Sequence, residues 1–135
     1  MIHISFKDEG IAIDLDLKRR VTLVAGDSGT GKTFLVNRIR EIQARNPQTT
    51  QAFIVDSVQL FNLIPSAAEP VIIIDQPNQY LTGTQLVNCV ADIRDKHFII
   101  FARPGIEVPG TLHDAAKLNW EKTDNTMQAS LKYYW

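Results

Sequence analysis

The sequence is short of three features, and each shortage excludes a class of protein. It has one cysteine, Cys89, among 135 residues, so no disulfide can form within the chain. Its longest apolar run, residues 98–102, is far shorter than the ~20 residues that a membrane-spanning helix needs. Its 14 basic and 15 acidic side chains leave a net charge of −1, so no overall field attracts nucleic acid or an anionic membrane. The N-terminus also lacks the pattern of a signal peptide. We therefore expect a soluble, cytoplasmic protein with no nucleic-acid or membrane partner.

The strongest motif is residues 26–33, which match the phosphate-binding pattern G-x-x-x-x-G-K-[ST] (Walker A, or P-loop) at every fixed position. In such a loop, consecutive backbone N–H groups turn inward around a phosphate, and a Cβ on the tight turn would obstruct them. Lys32 can then reach the β- and γ-phosphate oxygens, while the Thr33 hydroxyl can bind Mg²⁺. The predicted phosphate-binding residues are Gly26, Asp27, Ser28, Gly29, Thr30, Gly31, Lys32 and Thr33.

The segments on either side of this loop fit a strand and a helix, which is the context that the motif requires. Residues 21–25 are an apolar, β-branched run that ends at the loop. After it, Leu35, Ile39 and Ile42 recur at the spacing of one helical face, and Asn46 with Pro47 ends the pattern. The sequence therefore predicts a strand, a phosphate-binding loop and a helix in succession.

A second informative stretch is residues 71–75, in which four apolar residues precede Asp75. A continuous apolar run suits a strand that is buried on both faces. This has the form of a Walker B strand, whose terminal aspartate lies beside the phosphate loop and holds Mg²⁺ directly or through water. We therefore predict Thr33 and Asp75 as the magnesium-binding residues.

The rest of the chain predicts one α/β domain over residues 1–135. Alternating apolar residues predict an N-terminal β-hairpin over 2–17 and a C-terminal antiparallel hairpin over roughly 116–135. Further strands are expected near 51–56 and 97–102, and a capping box at Thr82 is expected to open a helix. Alternation of strands and helices favours a three-layer P-loop fold with a mostly parallel central sheet.

Taken together, residues 2–103 resemble the catalytic core of an ABC-type ATPase, in the additional-strand class of P-loop proteins. The resemblance lies in the hairpin leading into GDSGTGKT and in the stretch Val71–Asn78, which is similar to the family's apolar run followed by D-E-P-T/S. It implies ATP as the ligand. It also implies a sheet with the phosphate-loop strand in its interior and one strand between the two Walker strands.

Two departures from the family bear on activity. The signature L-S-G-G-Q is absent, and the chain is too short between the first helix and residue 71 for the helical subdomain that carries it. Gln76 stands where the family has the glutamate that polarises the attacking water, and an amide cannot act as a general base. Asp27, Asp56 and Glu69 are alternative carboxylates for that role.

Two further positions differ from the family pattern. Arg103 stands near the family's switch histidine and is a candidate sensor of the γ-phosphate or a surface ion-pair partner. The N-terminal hairpin has Asp8 near the position at which the family stacks an aromatic on adenine, so the resemblance alone indicates the base.

The sequence leaves three functions open. The first is an ATP- and Mg²⁺-binding switch that hydrolyses ATP slowly or with a partner's help, the partner being another protein or a second copy of the chain. The second is a small-molecule or nucleotide kinase, although an arginine-rich lid segment is absent. The third is an interaction module that nucleotide merely stabilises.

Overall fold

The computed structural model describes residues 2–25, 31–103 and 114–134, with Thr49 described by its backbone alone. The first five predicted phosphate-binding residues, Gly26, Asp27, Ser28, Gly29 and Thr30, lie outside these ranges. Residues 31–33 of the same motif lie inside them.

Eight strands and three α-helices make up the described ranges. The strands are β1 (Ile2–Asp8), β2 (Ile11–Leu17), β3 (Val21–Ala25), β4 (Ala52–Val55), β5 (Val71–Asp75), β6 (His97–Ala102), β7 (Asp114–Thr123) and β8 (Thr126–Tyr133). The helices are α1 (Lys32–Arg45), α2 (Val58–Phe61) and α3 (Gly83–Asp92), with short 3₁₀ helices at Pro47–Thr49, Ile64–Ser66 and Pro77–Gln79. Within these ranges, no helix is long and apolar enough to cross a membrane.

All eight strands belong to one sheet with the order β1-β2-β8-β7-β3-β6-β5-β4. From β7 to β4, neighbouring strands run parallel, whereas each hairpin is antiparallel within itself. The phosphate-loop strand β3 lies in the interior, and β6 separates it from β5. This placement of β3, β6 and β5 agrees with what the resemblance implies.

The expected three-layer α/β fold with a mostly parallel central sheet is nevertheless wrong. Strand accounts for 44% of the described residues and helix for 31%, so strands dominate, and the eight-stranded mixed sheet curls into a half-barrel. The predicted hairpins cause this difference because they join the sheet: β7 pairs with β3, and β8 pairs in parallel with β2. Strand twist accumulates over the four added strands and bends the sheet around α1.

Two apolar cores lie on opposite faces of the central strands, since successive residues of a strand point to opposite sides. On the concave face, the predicted helical stripe of α1 packs against the N-terminal hairpin. This core includes Leu35, Ile39, Ile42, Ile4, Phe6 and Ile13. On the other face, α3 packs through Leu86 and Val90 on β5 and β6. The cores hold β3 and β5 rigidly, and these strands carry the residues described next.

Candidate functional site

The predicted site residues that the structure describes lie where the parallel strands β3, β6 and β5 end. Ala25, the last residue of β3, stands opposite Ala102 of β6, and Asp75, the last residue of β5, stands opposite Phe101. Only β6 therefore separates Asp75 from the strand that enters the phosphate loop. With neighbouring strands about 4.8 Å apart, two strand spacings place the two ends ~10 Å apart.

Gln76 contacts the phosphate-loop helix directly. Its Nε2 donates a hydrogen bond to Thr33 Oγ1 at 3.2 Å, and its Oε1 accepts one from Gln79 Nε2 at 2.7 Å. The backbone of Gln76 adopts a left-handed conformation with φ 48°, and its N–H donates to Phe101 O at 2.8 Å. Because a non-glycine residue in this region is strained, the surrounding contacts must hold it there. The side-chain amide is thus fixed between the third 3₁₀ helix and the start of α1.

Asp75 has one buried carboxylate oxygen, Oδ1, with no hydrogen-bond partner among the described residues. Burial raises the pKa of this carboxyl above its ordinary value, and the nearby Asp56 adds to the rise, while Arg40 and Lys32 oppose it. A buried carboxylate oxygen without a partner is costly. A bound cation would remove that cost.

The donor set at this edge fits a magnesium ion. Thr33 offers a hydroxyl and Asp75 a carboxylate, and Mg²⁺ takes oxygen ligands while keeping several waters and substrate phosphates. No group of three or more His, Cys, Asp or Glu side chains able to hold a metal occurs in the described part of the chain. The residues therefore suit an ion held jointly with phosphate, not a cage made by protein alone.

Lys32 begins α1 and is only 6% exposed. Its positive charge opposes the rise that burial causes in the pKa of Asp75, so the two groups share one local environment. No side chain of the described residues caps the helix, which starts directly after Gly31, whose φ is 90°. The first N–H groups of an α-helix have no partner within the helix and attract anions.

Arg40 of α1 is a residue that the sequence analysis did not single out. Its guanidinium donates to the Asp56 carboxylate at 3.2 Å, just beyond the end of β4. Asp56 is thus an ion-pair partner of the phosphate-loop helix, and its charge also reaches Asp75. An i, i+4 charge pattern within the helix could not have revealed this pairing, because it joins distant segments.

Tyr80 is a second residue that the sequence did not single out. Its hydroxyl lies 2.8 Å from the carbonyl oxygen of Asp75 and 3.1 Å from that of Val55, so it joins the ends of β5 and β4. Burial, followed by the charges of Asp75 and Asp56, raises the pKa of Tyr80. The hydroxyl keeps its proton and serves as a structural donor beside Asp75.

Trp120 on β7 is the third residue that was missed. A Cβ added to Gly31 would stand 2.5 Å from Trp120 Nε1, so the indole lies directly against the motif's last glycine before the lysine. The alternation of the C-terminal hairpin placed Trp120 on an apolar face but gave no sign that this face meets α1. The C-terminal hairpin therefore forms one wall of the site.

The remaining candidates differ in where they lie. Arg103 is exposed and follows β6, the strand between β3 and β5, so it stands at the correct edge of the sheet. Glu69 precedes β5, and its carbonyl accepts a hydrogen bond from Lys96 at 2.7 Å, so it lies at the opposite edge from Asp75. Asp27 lies outside the described residues. Asp56 and Arg103 thus remain near the site, and Glu69 does not.

Cys89 on α3 is not a nucleophile at neutral pH. The side chain is partly buried, and burial, with a smaller contribution from Asp92, raises the pKa of the thiol to about 11. Because the thiolate is the reactive form, the protonated thiol is inert. Its position on α3, behind the central strands, is structural.

Comparison with known proteins supplies no family. A scan against protein-family models finds no match, and a search of curated proteins finds no significant relative. The geometry of the residues at the strand ends is therefore the basis for the function proposed below.

Proposed function

We propose that this protein binds ATP with Mg²⁺ and acts as a nucleotide-dependent switch with slow or partner-activated hydrolysis. The observation that carries the proposal is the hydrogen bond between Gln76 and Thr33, which joins the end of the Asp75 strand to the start of the phosphate-loop helix. Phosphates would be held by residues 26–33, with Lys32 neutralising their charge. Cys89, the single cysteine, needs no oxidising compartment, which supports the cytoplasm as the location.

The magnesium ion would be held by Thr33 and Asp75. When bound, it neutralises negative charge on the phosphate oxygens. The oxygen ligands are the type that Mg²⁺ prefers, and the buried Oδ1 of Asp75 gains a partner that the described residues do not supply. Both residues lie on rigid elements, because β5 is buried and α1 is packed against the concave core.

Slow hydrolysis follows from the chemistry of Gln76. Its amide nitrogen donates to Thr33 and its amide oxygen accepts from Gln79, so both ends of the group are engaged. An amide cannot take a proton from the attacking water, and a general base contributes typically ~10²–10⁴ in rate. Asp56 accepts a hydrogen bond from Arg40 in an ion pair, so we do not assign it the role of the base.

Switching follows from the hydroxyl of Thr33, which is shared between two uses. In the structure it accepts a hydrogen bond from Gln76, whereas a magnesium ion would take its oxygen as a ligand. A cation on this oxygen would repel the partly positive N–H₂ group of Gln76, so nucleotide binding would move Gln76 and, through Gln79, the third 3₁₀ helix. A partner that distinguishes the two arrangements, either another protein or a second copy of this chain, would read the nucleotide state. Arg103 at the same edge is the candidate sensor of the γ-phosphate.

The test is single-turnover hydrolysis of ATP with Mg²⁺ and excess protein, measured beside hydrogen exchange of residues 76–81 with ATP and with ADP. We expect turnover close to the blank and different exchange in the two nucleotide states. Fast turnover by the wild-type protein would overturn slow hydrolysis, and identical exchange would overturn the switch. Transfer of phosphate to added nucleosides would instead identify a kinase.

A further inference from the structure

The C-terminal hairpin reaches past the central sheet towards the phosphate loop. Strand β7 pairs with β3 only as far as Ala116 opposite Val24, and it then continues to Thr123. Because β7 and β3 run parallel, this extension stands beyond the edge at which β3 enters the loop. It carries Trp120 onto Gly31, as the 2.5 Å approach of Nε1 to a Cβ built there indicates.

Phe34 completes an aromatic pair at this place. It directly follows Thr33 in the first turn of α1, and 54% of its surface is exposed. Its ring centroid lies 5.6 Å from that of Trp120, with the planes tilted by 57°. The other large apolar residues of α1 pack into the concave core, whereas Phe34 is more than half exposed. The exposed ring, paired with a second aromatic beside the motif, offers a surface on which a flat ligand can stack.

The N-terminal hairpin does not occupy this place. Asp8, the last residue of β1, forms ion pairs with Arg38 and Arg45, both further along α1 than Phe34. These ion pairs hold Asp8 there. The backbone N–H of Glu9 has the largest effect in lowering the pKa of the Asp8 carboxyl, and the two arginines lower it further. The start of α1 is therefore flanked by the C-terminal hairpin and not by the end of the N-terminal one.

We propose that Phe34 and Trp120 form the platform on which the nucleotide base stacks, with a purine nucleoside triphosphate as the ligand. The inference rests on the proposed function, because it needs phosphates held at residues 26–33. With phosphate on the loop and the N–H groups of the first turn of α1, the nucleoside extends over the next surface, where Phe34 is exposed. Stacking on aromatic rings tolerates any base because every base has a π-face, and purines offer the larger face. ATP and GTP should therefore bind with similar affinity, and both should bind more tightly than CTP.

The test compares ATP with inorganic tripolyphosphate, each with Mg²⁺, by titration calorimetry. Phe34→Leu keeps an apolar side chain but removes the ring. We expect it to weaken ATP at least about fivefold, in line with the loss of one stacked base, and to leave tripolyphosphate affinity unchanged. Trp120→Phe, which keeps a ring, should retain more ATP affinity than Trp120→Leu. Tyr134→Leu is the matched control, since Tyr134 is an exposed aromatic held at the Ala115 end of the same hairpin.

Four outcomes would overturn the platform. Unchanged ATP affinity in Phe34→Leu would show that the base does not stack on this pair, while the proposed function would stand. Equal weakening of ATP and tripolyphosphate would mean that Phe34 shapes the loop and does not touch the base. Failure of the wild-type protein to bind either ligand would defeat the proposed function and the platform together. Tight discrimination of ATP from GTP would also contradict a platform that works by stacking alone.

Discussion

The side-chain amide of Gln76 donates a hydrogen bond to the hydroxyl of Thr33 across 3.2 Å. These residues are 43 positions apart, and the contact joins the end of β5 to the first turn of α1. It also places a group without basic character beside the residue that would hold magnesium. One expectation about activity follows from this pair.

Gln76→Glu should raise the single-turnover rate of ATP hydrolysis at least about tenfold. A carboxylate at this position can accept a proton from water, whereas the amide cannot, and a general base is worth typically ~10²–10⁴ in rate. Gln76→Ala is the control, because it removes the contact with Thr33 without supplying a base. An equal rise in both variants would assign the effect to release of Thr33 and not to proton transfer.

Gly31→Ala should destabilise the protein more than Gly10→Ala does. Both glycines have positive φ, 90° and 78°, so each substitution carries the conformational cost of about 1 kcal/mol. Only at Gly31 would the new Cβ also meet Trp120, at 2.5 Å, whereas nothing lies within 4 Å at Gly10. Urea denaturation measures the two losses. Equal losses would show that Trp120 does not rest on Gly31.

Asp75→Asn should stabilise the metal-free protein at neutral pH. Burial raises the folded-state pKa of Asp75, so the folded protein binds this proton more tightly than the unfolded chain does. The free energy of unfolding therefore falls as pH rises from the unfolded pKa of about 4 through the raised folded value. A neutral amide removes that penalty, so its advantage should be present at pH 7, shrink as pH falls through the raised folded pKa, and be absent below ~4.

Urea denaturation in the presence of a chelator, at pH 7 and at acidic pH, measures the effect of Asp75→Asn. Asp95→Asn, at an exposed turn, is the control and should change little at either pH. The same Asp75→Asn protein should lose the magnesium dependence of ATP binding. A destabilised variant at pH 7 would contradict the buried, unpartnered carboxylate.

Tyr80→Phe should lower the free energy of unfolding by about 1–2 kcal/mol, because it removes the hydroxyl that joins the carbonyls of Val55 and Asp75. Tyr134→Phe, at a largely exposed side chain, should cost almost nothing by comparison. Denaturant titration checks both variants. If the two changes cost the same, the tie between β4 and β5 would contribute nothing to stability.

The local elements were predictable because local patterns encode them. Residues 21–25 and the apolar stripe of Leu35, Ile39 and Ile42 predicted β3 and α1, and both are confirmed. The capping box at Thr82 is also confirmed, with Thr82 and Gln85 exchanging hydrogen bonds at the start of α3. Each of these signals lies within a few residues of the feature that it predicts.

The sheet could not be predicted in the same way. Alternation identified both hairpins, but it carries no information about which edge a hairpin joins. The sequence therefore did not predict the parallel pairing of β8 with β2. It also did not predict the curled sheet that the structure has in place of the expected three-layer arrangement. In the site, Asp75 was predicted from the apolar run that precedes it, and Gln76 from its place in the stretch that resembles the family's D-E-P-T/S. Trp120 was missed because its contact with Gly31 joins segments distant in sequence, and Tyr80 because no local pattern marks its hydroxyl as a partner of the Asp75 and Val55 carbonyls.

The central claim is that nucleotide phosphate binds at the start of α1, and equilibrium titration of ATP with Mg²⁺ tests it most directly. Wild-type protein is compared with Lys32→Ala and with Lys7→Ala, which removes the same charge from an exposed position on β1. Thermal melts establish that each variant is folded. We predict that wild type and Lys7→Ala bind equally and that folded Lys32→Ala loses at least about tenfold in affinity, as expected for a charged hydrogen bond to phosphate. Unchanged ATP affinity in folded Lys32→Ala would contradict the account.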